Sequence, residues 1–404
     1  MKVCSYVFCL ILLLASAAQA DDSLNVRLVG SCHTPGRPVG IAVGGDYAFV
    51  ASLDSGLRVI SVADPAHPTE VGHADTPSRA WTVALSGDYA YVADQSAGLR
   101  VISVADPAHP TEIGYYDPPG LTTSVAVDGN YAYVTDVDSG LWIISISDPA
   151  HPTKVGHCAL PDTAYSVALT GHLVCVADYM HGLRIVSVAD PAHPVEVGHN
   201  DSLGFLCVTA SGDYAYVGSD EDGVYVVSLA DSSRPVQVGW CDTHEWLAAA
   251  AIYNNYAYAT GGERLYVVSL TDPTHPDTVG HYWWLHGAAG IAADADYAYV
   301  ASDSGLAVYQ FYGADVEETK NTEPQTKKGD PTVVRGVLEL GADRKQNAVC
   351  RAELLDISGR KVIDLHPGAN GVSILAPGVY FVRERSAVSG ERPAVNIRKV
   401  IITR

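Results

Sequence analysis

One sequence unit recurs seven times, and this recurrence constrains the fold more than any other feature of the chain. The stretch Gly56–Glu70 is repeated letter for letter as Gly98–Glu112. A Tyr-Ala-Tyr-Val-like element marks every unit, and its first position falls at Tyr47, Tyr89, Tyr131, Leu173, Tyr214, Tyr256 and Tyr297. These positions are 41 or 42 residues apart, and the units fill residues 24 to about 313. A repeat of this length predicts stacked copies of one supersecondary unit.

Each unit contains four strand-like runs separated by turn residues. In the second unit the runs are Trp81–Leu85, Tyr89–Ala93, Leu99–Val104 and Thr111–Tyr115. Proline cannot donate a hydrogen bond to a strand ladder, so the segment Asp106-Pro107-Ala108-His109-Pro110 ends the third run. Four short strands in about 42 residues are typical of a propeller blade. The pattern therefore predicts an all-β fold, a seven-bladed β-propeller of four-stranded blades.

The first run of each unit alternates an aliphatic row with a row of small residues. The small row consists of Gly40 and Ala42, Thr82 and Ala84, Ser124 and Ala126, Ser166 and Ala168, Cys207 and Thr209, Ala249 and Ala251, and Gly290 and Ala292. Successive side chains of a strand point to opposite faces, so one face must be too cramped for large residues in every unit. The narrow central channel of a propeller is such a place.

The two ends of the repeat region predict how the ring closes. The last unit stops after its third run, Leu306–Phe311, and lacks a fourth. An isolated run at the start, Val26–Ser31, matches the fourth run of the other units. We therefore expect this N-terminal strand to complete the seventh blade and to remove two open sheet edges.

Composition limits the classes of partner. Of 404 residues, 48% are hydrophobic and 18% are charged, which is too apolar for a disordered chain. The 46 acidic residues outnumber 25 basic ones, and a net charge of −21 would repel phosphate-rich molecules. We therefore expect no nucleic-acid partner. The cysteines contain no Cys-x-x-Cys pair, and we predict buried free thiols rather than a disulfide framework or a zinc site.

The first twenty residues have the features of a secretory signal peptide. Lys2 is followed by the apolar run Val7–Leu14 and by Ala18-Gln19-Ala20, which has the small-x-small cleavage form. The apolar run is too short to span a bilayer, and no later run approaches that length. We predict cleavage after Ala20, export, and no membrane-spanning segment in the mature chain.

The stretch Gly56–Gly72, GLRVISVADPAHPTEVG, resembles the LVIVD repeat of secreted and surface-exposed bacterial and archaeal proteins. That resemblance covers all seven units and implies a β-propeller over residues 21–313. Unit five departs from the pattern with Asp231-Ser232-Ser233-Arg234-Pro235, and unit six lacks one loop residue at Gly261–Arg264. The family implies no catalytic residue and no cofactor.

A polar stretch at 314–330 is predicted to be a linker, and strand signals return at 331–404. Three segments, Leu354–Val362, Leu375–Arg383 and Arg398–Arg404, resemble the C-terminal sorting domain of proteins secreted by the type IX system. That domain is a small Ig-like β-sandwich. The resemblance implies recognition by the type IX export machinery, passage through the periplasm, and an extracellular or outer-membrane-associated position at the cell surface.

Histidines recur in the Asp-Pro-x-His-Pro turn at His67, His109, His151, His193 and His275. Equivalent positions on different blades are spread around a ring and cannot converge on one metal ion. We therefore interpret these histidines as structural and predict no metal site.

The loops that join the first to the second run and the third to the fourth run are nearly uniform, whereas the loops at the other end of the units vary. Variable loops on a rigid scaffold often carry binding residues, with aromatic and Arg side chains as anchors. Candidate binding residues are Arg37, Arg79, Trp81, Tyr165, Tyr179, Phe205, His244, Glu245, Trp246, Trp283, Trp284 and His286. We predict a non-catalytic, monomeric protein that binds an extracellular protein or glycan through this face.

An enzyme is the alternative. A propeller hydrolase or lyase acting on an extracellular polymer would use His244, Glu245, His286 or the loop aspartates Asp94, Asp136 and Asp178. Such a site needs an acid and a base that converge in one cleft.

Overall fold

The computed structural model describes residues 23–161, 163–201, 204–219, 223–283 and 287–312, with Phe205 lacking a described side chain, and the backbone of seven strands nearer the C-terminus. The chain divides into two compact units, Met1–Glu318 and Thr319–Arg404. Within the described residues, no helix is long and apolar enough to cross a membrane.

The first unit consists of seven four-stranded antiparallel sheets. Blade 1 contains β2 (Gly40–Gly44), β3 (Tyr47–Ala51), β4 (Leu57–Ser61) and β5 (Thr69–Ala74), and blade 2 contains β6 (Thr82–Ser86), β7 (Tyr89–Ala93), β8 (Leu99–Ser103) and β9 (Thr111–Tyr116). Blade 3 contains β10 (Thr122–Asp128), β11 (Tyr131–Asp136), β12 (Gly140–Ser145) and β13 (Thr153–Cys158), and blade 4 contains β14 (Ala164–Thr170), β15 (Leu173–Asp178), β16 (Gly182–Ser187) and β17 (Val195–Asn200).

The remaining blades repeat this order. Blade 5 contains β18 (Phe205–Ser211), β19 (Tyr214–Ser219), β20 (Gly223–Ser228) and β21 (Val236–Asp242), and blade 6 contains β22 (Ala249–Tyr253), β23 (Tyr256–Gly261), β24 (Arg264–Ser269) and β25 (Asp277–Trp283). Blade 7 contains β26 (Gly290–Ala293), β27 (Ala298–Ser302) and β28 (Gly305–Phe311), with β1 (Val26–Cys32) as its fourth strand. The first strand of every blade contacts the first strand of the next, including β26 with β2, so the ring is closed. The predicted seven-bladed propeller is confirmed.

Ring closure by the N-terminal strand is also confirmed. β1 pairs antiparallel with β28, from Val26 opposite Phe311 to Cys32 opposite Leu306. Leu24, just before β1, exchanges backbone hydrogen bonds of 2.8 and 2.9 Å with His281 of blade 6. The start of the described chain therefore joins blade 6 to blade 7 as well as completing blade 7.

The small row of the first strands faces the neighbouring blade at the hub. A Cβ atom on Gly40 would lie 2.5 Å from the backbone oxygen of Trp81 in blade 2. The Thr82 hydroxyl accepts a hydrogen bond of 3.2 Å from the backbone amide of Val125, and the Ser166 hydroxyl accepts one of 3.2 Å from Val208. The cramped place is therefore the gap between adjacent first strands, rather than an open channel, because backbones of neighbouring blades approach closely there.

The apolar cores lie between blades. In one of them, Leu57 and Val59 of blade 1 pack with Val83 and Val92 of blade 2, and the other seams have equivalent clusters. Fully burying an aliphatic side chain stabilises a fold by about 1.5–3 kcal/mol, so every blade depends on its neighbours for stability.

The second unit contains seven described strands. They are β29 (Thr332–Val334), β30 (Val337–Leu340), β31 (Arg351–Leu355), β32 (Lys361–Leu365), β33 (Gly368–Gly371), β34 (Gly378–Ser386) and β35 (Ala394–Ile402). Five form a sheet in the order β29-β35-β34-β31-β32, and β30 pairs with β33. The Ig-like sandwich stays a prediction, and the linker at 314–330 lies outside the described residues, as does the signal peptide.

Candidate functional site: the variable face

Two kinds of loop meet at one end of the propeller, which we call the variable face. Among the described residues, loops at 33–39, 75–81, 117–121, 159–161, 243–248 and 287–289 lead into first strands. Loops at 52–56, 94–98, 137–139, 179–181, 262–263 and 303–304 join second to third strands. The opposite end, which we call the repeat face, carries the loops that join first to second and third to outer strands. Because strands alternate in direction, the two sets of loops separate to opposite ends.

The two candidate arginines link neighbouring blades across the variable face. Arg37 Nε lies 2.9 Å from Asp303 Oδ1 of blade 7, and Arg79 Nε lies 3.0 Å from Asp54 Oδ1 of blade 1. All four side chains are exposed. Exposed pairs contribute about 0–1 kcal/mol, so both arginines remain accessible to a ligand at small energetic cost.

The candidate aromatic residues differ in accessibility. Trp246 is 46% exposed, whereas Trp81 and Tyr165 are partly buried at the starts of the first strands of blades 2 and 4. The Tyr165 ring packs edge-on against Tyr179, with centroids 5.7 Å apart. Trp246 is therefore the anchor that a partner reaches most easily.

A polar cluster lies beside Trp246 in blade 6. The Arg264 guanidinium stacks 3.3 Å from the centre of the Trp283 ring, and its Nε lies 3.5 Å from Glu245 Oε1. His244 is exposed, has a φ of 56°, and its ring Nδ1 lies 2.8 Å from Asp242 Oδ1. The cation–π contact and ion pair hold Glu245 and Trp283 in place, so this corner presents a preorganised polar and aromatic surface.

The three loop aspartates of the enzyme alternative are fully buried at equivalent positions of three blades. Asp94 accepts hydrogen bonds from Thr76 Oγ1 at 2.7 Å and the Ser78 amide at 2.9 Å, and burial raises the pKa of its carboxyl. Asp136 accepts one from the Gly120 amide at 2.8 Å. Asp178 lies 3.6 Å from His181 Nδ1. Asp94 and Asp136 thus fasten the loop that precedes their own blade.

Part of the predicted set lies outside the described residues, namely Trp284, His286 and the side chain of Phe205. Sequence reasoning missed two apolar side chains on the variable face, Met180, which is 70% exposed, and Leu121, which is 41% exposed. The sequence could have indicated their exposure, because an apolar side chain within a short polar loop has little to pack against.

Comparison with known families gives a match over the whole repeat region. The model of the LVIVD repeat matches residues 35–76, 77–118, 119–159, 162–201, 207–243, 249–283 and 287–308, which together are more than half of the chain. The chain belongs to the LVIVD repeat family. No curated protein matches it.

Solved structures with similar folds are distant in sequence. The WD40 repeats of RRP9 share 12% identity, with a TM-score of 0.59, over 72% of this chain and 98% of theirs. U3-55K shares 12% identity, with a TM-score of 0.58, over 70% and 98%. The computationally designed protein Ika8 shares 7% identity, with a TM-score of 0.53, over 70% and 99%. Identities this low show the propeller fold alone.

Residues that recur in the LVIVD units, the glycine of Val-Gly and the proline of Asp-Pro, contact each other between neighbouring blades. A Cβ atom on Gly72 in the outer strand of blade 1 would overlap the Pro107 carbonyl oxygen in the Asp-Pro turn of blade 2. The same clash faces Gly114, Gly156 and Gly30 against the turn prolines of the following blades. Gly280 is different, since its closest neighbours are Phe311 and Leu24 at 3.0 and 3.1 Å. The Val-Gly element of one blade therefore packs against the Asp-Pro turn of the next blade.

The turn itself is held by its aspartate. Asp64 Oδ1 accepts a hydrogen bond from the Ala66 amide at 3.1 Å, and Oδ2 lies 2.9 Å from His67 Nδ1. The His67 contact, with the amide, lowers the pKa of Asp64. Equivalent contacts occur at His109, His151, His193 and His275. These geometries support the structural interpretation of the repeated histidines.

Proposed function

We propose that this protein is a non-catalytic binding or scaffold propeller that works outside the cell. Its variable face would dock an extracellular protein or glycan, with Trp246 in the loop before blade 6 as the most accessible anchor and Trp81 in the loop before blade 2 as a second candidate. Exposed aromatic and Arg side chains commonly dominate binding energy at such surfaces.

One observation carries the proposal. The residues that repeat from unit to unit are occupied in contacts between blades and in turns, as Gly72 with Pro107 and Asp64 with His67 illustrate. The side chains that differ between units, such as Trp246, Met180 and His244, are exposed on the variable face. A rigid ring that places dissimilar side chains at one end is suited to recognising one particular partner.

The enzyme alternative receives less support from the geometry. Asp94 and Asp136 are both occupied by hydrogen bonds that fasten neighbouring loops. A polysaccharide hydrolase or lyase activity that disappears in the Asp94→Asn variant would favour the enzyme.

Capture of the partner tests the binding face. We expect Trp246→Ala to reduce ligand capture from native surface material or on a glycan array by at least tenfold, because hot-spot truncations cost about 2 kcal/mol or more. Trp240→Ala is the matched control, since Trp240 is 43% exposed but lies on the outer strand β21 of blade 5. Capture that is equally strong in Trp246→Ala, Trp81→Ala and Trp240→Ala would contradict a binding role for these two tryptophans.

Export is the second part of the proposal, and the resemblance of residues 1–20 and 331–404 to targeting segments supports it. We expect the surface or secreted form to begin at Asp21, as N-terminal sequencing would show. Deleting 331–404 should trap the protein in the periplasm, which cell fractionation measures. Unchanged surface delivery of the truncated chain would contradict the type IX route.

A further inference from the structure

Unit five breaks the repeat at a single loop of the repeat face, and a cavity lies at that place. Ser232, Ser233 and Arg234 replace the Pro-Ala-His of units one to four and the Pro-Thr-His of unit six. A cavity of about 610 Å³ between blades 4 and 5 is lined by this loop, at 233–235, and by residues 196–199 of the outer strand β17. That volume falls within the range of pockets that hold small organic ligands.

The substitution removes the histidine contact from the turn of unit five. In blades 1 to 4 the histidine of the turn lies 2.9–3.0 Å from its aspartate. In unit five the Ser233 hydroxyl instead donates a hydrogen bond of 2.6 Å to Asp231 Oδ1. Thr274 of blade 6 makes the same bond to Asp272 while His275 keeps its contact with that aspartate. What distinguishes unit five is therefore the replacement of the histidine by Arg234.

Among the charged side chains that line the cavity, Arg234 is the one that can bind an anionic ligand. Glu196 is already engaged, with Oε1 at 3.3 Å from Arg184 Nη1 and 3.1 Å from His199 Nδ1. Arg234 is exposed, and among the described residues its guanidinium lies within ion-pair distance of no carboxylate. The pKa of Asp231 is lowered first by the Ser233 hydrogen bonds and then by the charge of Arg234. The guanidinium can therefore receive an anionic group from a ligand without first breaking an ion pair.

We propose that this cavity binds a sugar acid, with Arg234 receiving the carboxylate. A guanidinium matches a carboxylate with two parallel hydrogen bonds. Glu196, His199 and Ser233 line the cavity with acceptors and donors for the ligand's hydroxyl groups, and the half-buried Val197 adds apolar surface for the C–H face of the ring. A single carboxylate fits better than a polyanion, because the chain carries a net charge of −21. The site is independent of the variable face.

Calorimetric titration of the full-length protein with glucuronate, glucose and acetate tests the proposal. We expect glucuronate to bind, and to bind at least tenfold more tightly than either glucose or acetate. Arg234→His, which restores the residue found in the other turns, should weaken glucuronate binding by at least tenfold. Arg27→His is the matched control, because it replaces an exposed arginine on the outer strand β1 of blade 7, away from both proposed sites, and glucuronate affinity should be unchanged.

Three outcomes would overturn the assignment. They are no glucuronate binding up to millimolar concentration, equal affinity for acetate and glucuronate, and equal loss of binding in the Arg234→His and Arg27→His variants. The melting temperatures of both variants show whether the fold is intact, and His at position 234 is compatible with the turn because blades 1 to 4 carry it.

Discussion

At the scale of single residues, the cysteines of the propeller occupy mostly buried, apolar positions of the repeat. Cys175 stands in the second strand of blade 4 where blades 2 and 3 have Tyr91 and Tyr133, and Cys207 belongs to the small row of the hub. Five cysteines in the described part of the chain, Cys32, Cys158, Cys175, Cys207 and Cys241, are free thiols, whereas Cys350 lies outside it. Burial raises the pKa of Cys175 and of Cys207 to about 12.

Thiol reactivity follows from this burial. The thiolate is the reactive form, so we expect Cys175 and Cys207 to resist alkylation at neutral pH in the native protein. Cys32, which is only partly buried, should be labelled first. Peptide mass spectrometry after iodoacetamide treatment measures each site, with the denatured protein as the control that labels all of them. Native labelling of Cys175 at the rate of Cys32 would contradict the buried position.

At the scale of strands, the outer strand of each blade is protected in two ways. The register between β4 and β5 shifts at Val59 and Ile60, which leaves a bulge at Val71. Bulges disrupt the regular ladder that another strand would need for edge pairing. The next residue, Gly72, packs against the Asp-Pro turn of the following blade. Most outer strands of the ring therefore combine a bulge with a contact to the next blade.

The contact between glycine and proline predicts that the same Gly→Ala substitution destabilises some blades more than others. Gly114→Ala should lower the free energy of unfolding by about 1–3 kcal/mol, because a Cβ atom would overlap the backbone of Pro149. Gly280→Ala is the matched control at the same repeat position. Its Cβ atom would meet the Phe311 ring at 3.0 Å and the Leu24 backbone oxygen at 3.1 Å, which are tight contacts, whereas at Gly114 the Pro149 oxygen would lie at 2.4 Å. Denaturant unfolding measures both, and an equal or larger loss for Gly280→Ala would contradict this account.

At the scale of the propeller, stability depends on the pairing of β1 with β28, which closes the ring. β1 is far from β28 in sequence, so ring closure joins the two ends of the repeat region. Each blade buries its apolar surface against the next, and an open ring would expose the edge of β28 together with the seams on both sides.

Deleting residues 21–32 tests the closure. We expect the melting temperature to fall by about 5–10 °C and the protein to aggregate, because an exposed strand edge pairs with other chains. Differential scanning calorimetry and size-exclusion chromatography measure these effects. Deleting 319–404 is the control, since it removes the second unit and leaves every propeller strand in place. A truncated ring that melts like the full-length chain would contradict the role of β1.

The candidate site was only partly predictable from sequence. Variable loops could be recognised by comparing units, and the structure places Arg37, Arg79 and Trp246 together at one end of the ring. Their accessibility could not be read from sequence, because it depends on which neighbouring loop covers each side chain. Trp81 and Trp246 look alike as loop tryptophans, yet only Trp246 is largely exposed.

The sequence by itself determined the number of blades, their strands and the closing partner of β28, since periodicity and turn residues are local properties that every unit repeats. Only the tertiary structure shows which contacts the repeated residues make. The contact of Gly72 with Pro107 joins residues of different blades, and so does the contact of Thr82 with Val125. Such contacts depend on the angle and spacing between neighbouring sheets, which are set when the whole ring closes and not within any single unit.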